Sequence, residues 1–170
     1  MAEVGSNVPP FECFSTSGKI FRFPSDLSMP LAVLVVYRKN QCTPCKAQLE
    51  FLREKFEEFN AKRVQLLTIS YPPLEESLDV VKELNLPFPI LSDPEGKILT
   101  LLGAINGEQL QSGGKIHSGL VYPTILILNG VGKVLYKLVT KKTASRDEMG
   151  QIFRFIEEIQ NTGTGKLSYL

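Results

Sequence analysis

The run Leu31-Ala-Val-Leu-Val-Val-Tyr37 carries no charge and no polar alternation, and it is rich in branched aliphatic residues. A strand patterned this way is apolar on both faces, so it belongs at the centre of a sheet with a layer packed on either side. The polar residues Arg38 to Gln41 break the strand, and a helical pattern starts near Pro44. Proline suits a first helical turn because its missing N–H has no partner there in any case. Cys42 and Cys45 therefore fall at the junction between a central strand and the helix that follows it.

The rest of the chain reads outward from that junction. Cys45, Leu49, Leu52, Phe56 and Phe59 recur at helical spacing against charged residues on the other face, predicting a helix to about Asn60. Val64 to Ser70 reads as a second apolar strand, and Leu74, Leu78, Val81 and Leu84 as one face of a second helix. Short connections of this kind imply parallel strands with right-handed crossovers. Phe11 to Phe14 and Ile20 to Phe23 read as an edge β-hairpin, Phe88 to Leu91 as a short strand, and Pro94 to Leu102 as a short helix. Ile105 to Gly119 is glycine-rich and aperiodic and reads as a mobile loop. Thr124 to Leu128 and Lys133 to Val139 flank Asn129-Gly130-Val131-Gly132, which predicts an antiparallel hairpin. Ser145 and Glu148 form a capping box for a terminal helix that buries Met149, Ile152, Phe153, Ile156 and Ile159.

Composition narrows the function. A chain of 170 residues with 43% hydrophobic content has material for one core, expected as one domain over 1–162 with a flexible tail over 163–170. Its 19 basic and 18 acidic side chains leave no field for nucleic acid. Met1 to Pro10 does not read as a secretory signal, and no span approaches the roughly 20 apolar residues of a membrane helix. The expected location is the cytoplasm, with neither nucleic acid nor membrane as a partner. Three cysteines in a chain this large do not make a disulfide framework, which leaves catalysis or metal binding to explain them.

Two cysteines separated by two residues at a helix start can close a small disulfide ring, and the helix N-terminus stabilises a thiolate. That predicts a lowered pKa for the attacking sulfur. Cys45 is in register with Leu49 and Leu52 and faces inward, while Cys42 precedes the first turn and stays accessible. Cys42 is thus the expected nucleophile and Cys45 the resolving thiol. Arg38 and Lys46 could add positive potential. A Cys₃His set of Cys13, Cys42, Cys45 and His117 lacks the second closely spaced ligand pair of most structural zinc sites, so no metal is expected. Cys13 reads as a small apolar side chain and His117 as a loop residue. Pro123 opens the strand that starts beside the cysteines, and a cis Tyr122-Pro123 bond is expected to turn backbone groups towards a substrate strand.

The series β-α-β-α-β-β-α, with the cysteine pair after the central strand, resembles the thioredoxin fold with an N-terminal hairpin extension: an α/β protein of three layers, α/β/α, around a mixed sheet. Val33-Leu-Val-Val-Tyr-Arg38 followed by Cys42-Thr-Pro-Cys45-Lys-Ala-Gln-Leu49 resembles the alkyl hydroperoxide reductase and thiol-specific antioxidant (AhpC/TSA) superfamily, in particular its peroxiredoxin-like branch with a Cys-x-x-Cys pair. The likeness continues through Leu67-Thr-Ile-Ser70, Leu86-Pro-Phe-Pro-Ile-Leu-Ser-Asp-Pro94 and Tyr122-Pro-Thr-Ile-Leu-Ile-Leu128. The resemblance implies no cofactor, a reducing partner such as a thioredoxin- or glutathione-type donor, and a peroxide or oxidised protein as substrate. Arg38, Thr43, Pro44, Tyr122 and Pro123 are the residues expected to shape the site.

The sequence also departs from the family. Laying the peroxidase motif Pro-x-x-x-Thr-x-x-Cys on the chain puts Arg38 at the proline, Cys42 at the threonine and Cys45 at the peroxidatic position. The family's late-strand arginine has no counterpart beside Tyr122-Pro123, and Gln41 replaces a frequent aromatic residue. Thiol-disulfide exchange led by Cys42 is therefore the first reading, because the missing threonine and arginine would supply hydrogen bonds to the transition state of peroxide cleavage. Peroxide reduction is the alternative, and an interaction module with inert thiols is the third.

Overall fold

The computed structural model describes residues 2–40, 42–105 and 116–161. The apolar run forms β3, Leu31–Val36, with every residue buried. It pairs in parallel with β4, Val64–Ser70, and antiparallel with β6, Thr124–Asn129, Val36 lying opposite both Ile69 and Thr124. Strand alternation then divides its side chains between two cores. Leu31, Val33 and Val35 pack with residues of α1 (Thr43–Ala61), α2 (Leu74–Leu84) and α4 (Arg146–Asn161). Ala32, Leu34 and Val36 pack on the opposite face with Ile98 and Leu99 of α3 (Lys97–Leu101), with Leu120 and Val121, and with the N-terminal hairpin. The expected α/β/α layering is what this division produces.

The hairpin comprises β1, Phe11–Ser15, and β2, Ile20–Phe23. Together with β5, Ile90–Ser92, and β7, Val134–Val139, it completes a mixed sheet of order β2-β1-β5-β4-β3-β6-β7. β4 and β5 are parallel, β1 is antiparallel to β5, and β7 is antiparallel to β6. The β6–β7 turn is held by Asn129, whose Oδ1 accepts from the N–H groups of Val131 and Lys133 at 3.1 and 2.9 Å. Gly132 in this turn has φ +87°, and a Cβ there would lie 2.9 Å from the Phe23 ring. Both the left-handed backbone and the close approach demand glycine.

Several boundaries and faces differ from expectation for local reasons. α2 buries Ser77, Val80 and Leu84 rather than Leu74, Leu78 and Val81, because Ser77 is drawn inward by a hydrogen bond to Asn40. The short helix after Pro94 begins only at Lys97, since the Asp93 carboxylate accepts the Leu99 N–H at 2.8 Å and Gly96 turns the chain with φ +72°. The capping box before α4 forms as expected: Ser145 N–H donates to Glu148 Oε2 at 2.8 Å, and Glu148 N–H to Ser145 Oγ at 3.2 Å. Of the expected loop, Ile105 bridges to Val121 and Ser118–Leu120 makes a 3₁₀ turn, while 106–115 lie outside the described residues, as do 162–170, which include the expected tail over 163–170. Among the described residues no helix is long and apolar enough to cross a membrane.

Candidate active site

Cys42 is the N-cap of α1. Its backbone is extended (φ −149°, ψ 123°), and its Sγ accepts the N–H of Cys45 at 3.3 Å, the role that a serine or aspartate oxygen fills at most helix starts. Pro44 stands in the first turn, where its lack of an N–H costs nothing. Cys42 is half-buried, Thr43 and Pro44 are exposed, and Cys45 has no exposed surface at all. Both thiols are free.

The expected lowering of the Cys42 pKa does not occur. Burial and the hydrogen bond to the Cys45 side chain push it above the ordinary thiol value, outweighing the Cys45 N–H and the Lys39 charge that pull it down. The cation that acts on Cys42 is thus Lys39, which sequence reasoning did not single out. Lys46 instead pairs with Glu83 at 2.8 Å, tying α1 to α2, and Arg38 is half-buried.

Beneath the pair lies a closed polar cluster. Tyr37 and Asn40 are 0% and 2% exposed, and the Tyr37 hydroxyl donates to Asn40 Oδ1 at 2.7 Å. Asn40 Nδ2 reaches Ser77 Oγ at 3.5 Å, and Ser70 Oγ donates to the Tyr37 carbonyl at 3.4 Å. Burial holds the Tyr37 phenol well above its usual pKa. The cluster fixes Asn40 two residues ahead of Cys42. A serine in the first turn of α2 was the one sequence signal for it.

Cys45 has a polar neighbour from a distant segment: its Sγ and Thr143 Oγ1 are 3.7 Å apart, within hydrogen-bond range for sulfur. Thr143 stands between β7 and α4 and also lines a cavity of about 200 Å³ with Pro44, Gln48 and Met149. Nothing in the spacing of the sequence marks it.

Tyr122 and Pro123 do lie at the same end of the sheet, since Thr124 pairs with Val36. The Tyr122-Pro123 bond is nevertheless trans; the cis X–Pro bond among the described residues is Phe23-Pro24. Tyr122 N–H donates to the Ala104 carbonyl at 2.7 Å, and its own carbonyl accepts from Thr124 Oγ1 at 2.7 Å. Both backbone groups are thus engaged within the fold. Among the described residues no cluster of three or more His, Cys, Asp or Glu side chains is placed to hold a metal. Cys13 is buried in the core on the opposite face of the sheet from Cys45, and His117 is exposed.

A helix-capping cysteine backed by a second, buried one, at the junction between the buried strand β3 and α1, is the arrangement to compare with known proteins. The AhpC/TSA family profile matches residues 4–137. The chain belongs to the AhpC/TSA family. Its relatives include the 1-Cys peroxiredoxin of Medicago truncatula, 24% identical over 174 residues that span 97% of this chain and 76% of that protein. Among solved structures, the peroxidoxin BcpB of Mycobacterium tuberculosis superposes with a TM-score of 0.82 at 21% identity, covering 94% of this chain and 99% of that one. A yeast mitochondrial 1-Cys peroxiredoxin, whose thiol is resolved via glutathione/thioredoxin systems, superposes with a TM-score of 0.78 at 17% identity, covering 95% and 78%. The thioredoxin-like architecture expected from the element order is therefore that of this AhpC/TSA chain. Thr143 lies beyond the segment that the family profile matches.

Proposed function

We propose that this AhpC/TSA protein is a thiol peroxidase in which Cys42 attacks a hydroperoxide and Cys45 resolves the product. The observation that carries the reading is the placement of the two sulfurs: Cys42 half-buried at the helix N-terminus, Cys45 fully buried one turn further on. A peroxide arriving from solvent meets Cys42 first. That access argument favours Cys42 over Cys45 as the attacking sulfur, although the family motif laid on the sequence puts Cys45 at the peroxidatic position.

The chemistry runs in two steps. The Cys42 thiolate attacks the terminal peroxide oxygen, the O–O bond breaks, and the alkoxide or hydroxide leaves with a proton, giving a sulfenic acid and an alcohol or water. Cys45 then attacks the Cys42 sulfur, expelling water and forming the Cys42–Cys45 disulfide. An external dithiol or glutathione-type donor reopens the disulfide by exchange, a route supported by the yeast relative. Thiol-disulfide exchange, first on sequence grounds because the threonine and arginine of the peroxidase motif are missing, moves to second place on the strength of the relatives. The named relatives are peroxiredoxins and a peroxidoxin, which supports the same order.

The test is stopped-flow mixing of the reduced protein with hydrogen peroxide and with tert-butyl hydroperoxide, for wild type, Cys42→Ser and Cys45→Ser. Peroxide consumption should persist in Cys45→Ser, with a trappable sulfenic acid on Cys42, and vanish in Cys42→Ser. Consumption retained by Cys42→Ser would move the attack to Cys45. Slow reaction with both peroxides, together with fast reduction of a small disulfide, would restore exchange.

A further inference from the structure

The resolving step poses a problem of its own. Cys45 has no exposed surface, so the proton that its sulfur must shed on closing the disulfide cannot pass directly to water. Of its helical neighbours, Leu49 is apolar, and the buried Gln48 directs its Nε2 to the Met149 sulfur at 3.6 Å while its Oε1 makes no hydrogen bond among the described residues, to Cys45 or to any other group. Among the described residues, the hydroxyl within hydrogen-bond range of Cys45 Sγ is that of Thr143, at 3.7 Å. Thr143 is itself half-buried and lines the cavity of about 200 Å³ between α1 and the start of α4. The residue thus touches the closed sulfur and also borders the cavity.

A hydroxyl both accepts and donates, which suits a group that must serve a thiol before the step and a thiolate during it. Its position is held from two sides. Ala144, next in the chain, is buried in the core shared by α1 and α4, and Ser145 is locked by the capping box. Arg146 pairs with Glu54 of α1, both guanidinium nitrogens lying 3.2 Å from the carboxylate oxygens. The segment that carries Thr143 is thereby fastened to the helix that carries Cys45.

We propose that Thr143 is a catalytic residue of the resolving half-reaction, its hydroxyl taking the Cys45 proton as the buried sulfur closes on Cys42. The electron pair of the Cys45 sulfur forms the S–S bond while the S–O bond of the Cys42 sulfenic acid breaks. The Cys45 proton passes to Thr143 Oγ1, which releases its own proton to solvent through the cavity, and the departing hydroxide takes up a proton from solvent. The net products are one disulfide and one water. The proposal rests on the assignment of Cys42 as the attacking sulfur, and it concerns Cys45 closure whichever substrate oxidises Cys42.

The experiment uses 5,5′-dithiobis(2-nitrobenzoate) in slight excess over the reduced full-length protein, a probe that needs no peroxidase activity. The first thionitrobenzoate released reports attack by Cys42, and the second reports closure by Cys45. Thr143→Val keeps the shape and removes the hydroxyl, and it should slow the second phase relative to the first by on the order of tenfold or more. Thr143→Ser should bring the ratio back to within a few-fold of wild type, a rescue that loss of packing alone would not permit. In a parallel run with hydrogen peroxide, Thr143→Val should accumulate the Cys42 sulfenic acid, read by dimedone labelling and mass spectrometry. A ratio of phases in Thr143→Val equal to wild type, or a serine variant as slow as valine, overturns the assignment. If the probe gives the expected ratio while wild type ignores hydrogen peroxide, Thr143 keeps its role and the peroxidase reading fails.

Discussion

Replacing Tyr37 by phenylalanine isolates the polar cluster under the cysteine pair, because it removes one oxygen and leaves the ring in place. The hydroxyl donates to Asn40 Oδ1 at 2.7 Å, and with the two residues 0% and 2% exposed, water has no ready access to replace it. The variant leaves a buried carbonyl acceptor short of its donor, a loss of about 1–3 kcal/mol. For a chain of this size, each kcal/mol lowers Tm by about 2–4 °C, so Tyr37→Phe should melt about 2–12 °C below wild type. Urea unfolding of the reduced protein at pH 7 gives the same free energy independently. The loss should also be shared: in a double-mutant cycle, Asn40→Ala and Tyr37→Phe should couple by about 0.5–1.5 kcal/mol rather than add. Because Asn40 stands two residues ahead of Cys42, iodoacetamide should modify Cys42 faster in either variant as the segment opens. Additive losses, or a fall of less than about 1 °C in Tm, would refute the account of the cluster as a closed hydrogen-bonded unit.

Three further outcomes follow from the geometry. Lys39→Ala removes a positive charge that favours the Cys42 thiolate, so the pH profile of Cys42 alkylation should shift upward and the rate at pH 7 should fall, a difference that disappears near 1 M salt, where screening acts over about 3 Å. Burial, with Asp93 nearby, pushes the Cys13 thiol up to about 12; its folded pKa exceeds the unfolded value, so its contribution is complete below the unfolded pKa and is lost as pH rises towards the folded one. Unfolding free energy measured between pH 9 and 11 should therefore fall more steeply in wild type than in Cys13→Ala, by about 1.4 kcal/mol per pH unit. Ser145→Ala removes the Oγ that accepts the Glu148 N–H and should cost about 1 kcal/mol in urea unfolding, with Ser145→Asp retaining most of the stability.

What the sequence disclosed and what it hid divide along a physical line. Leu31 to Tyr37 could be placed because an apolar run without alternation has few structures open to it, and Cys42 and Cys45 because proline and helical spacing fix a local frame. The capping box at Ser145 and Glu148 is likewise a contact three residues long. Thr143 was out of reach: it meets Cys45 across 98 positions, and only the closing of α4 against α1 brings them together. Asn40 and Ser77 are 37 positions apart, and their contact rotates α2 away from the face that its leucines suggested. At Cys42 the helix N-terminus was a sound reason to expect a low pKa, but partial burial and the second sulfur outweigh it. The bond expected to be cis at Tyr122-Pro123 is trans, and the Tyr122 backbone is hydrogen-bonded to Ala104 and Thr124, contacts that no local pattern announces.

The sheet itself limits how this protein can be oxidised. Its three thiols are not equivalent partners, because β3 and its neighbours stand as a wall between Cys13 and the other two. Of the three bridges that three cysteines allow within one chain, the intact sheet bars the two that involve Cys13 and leaves the proposed Cys42–Cys45 bridge. Cys13 then behaves as a built-in record of unfolding: it meets the other two thiols only once the wall opens. On the proposed Cys42–Cys45 chemistry, native reduced protein releases two equivalents from 5,5′-dithiobis(2-nitrobenzoate), one by attack of Cys42 and one by closure of Cys45, native oxidised protein releases none, and a bridge from Cys13 to either records a molecule whose sheet opened before it was oxidised.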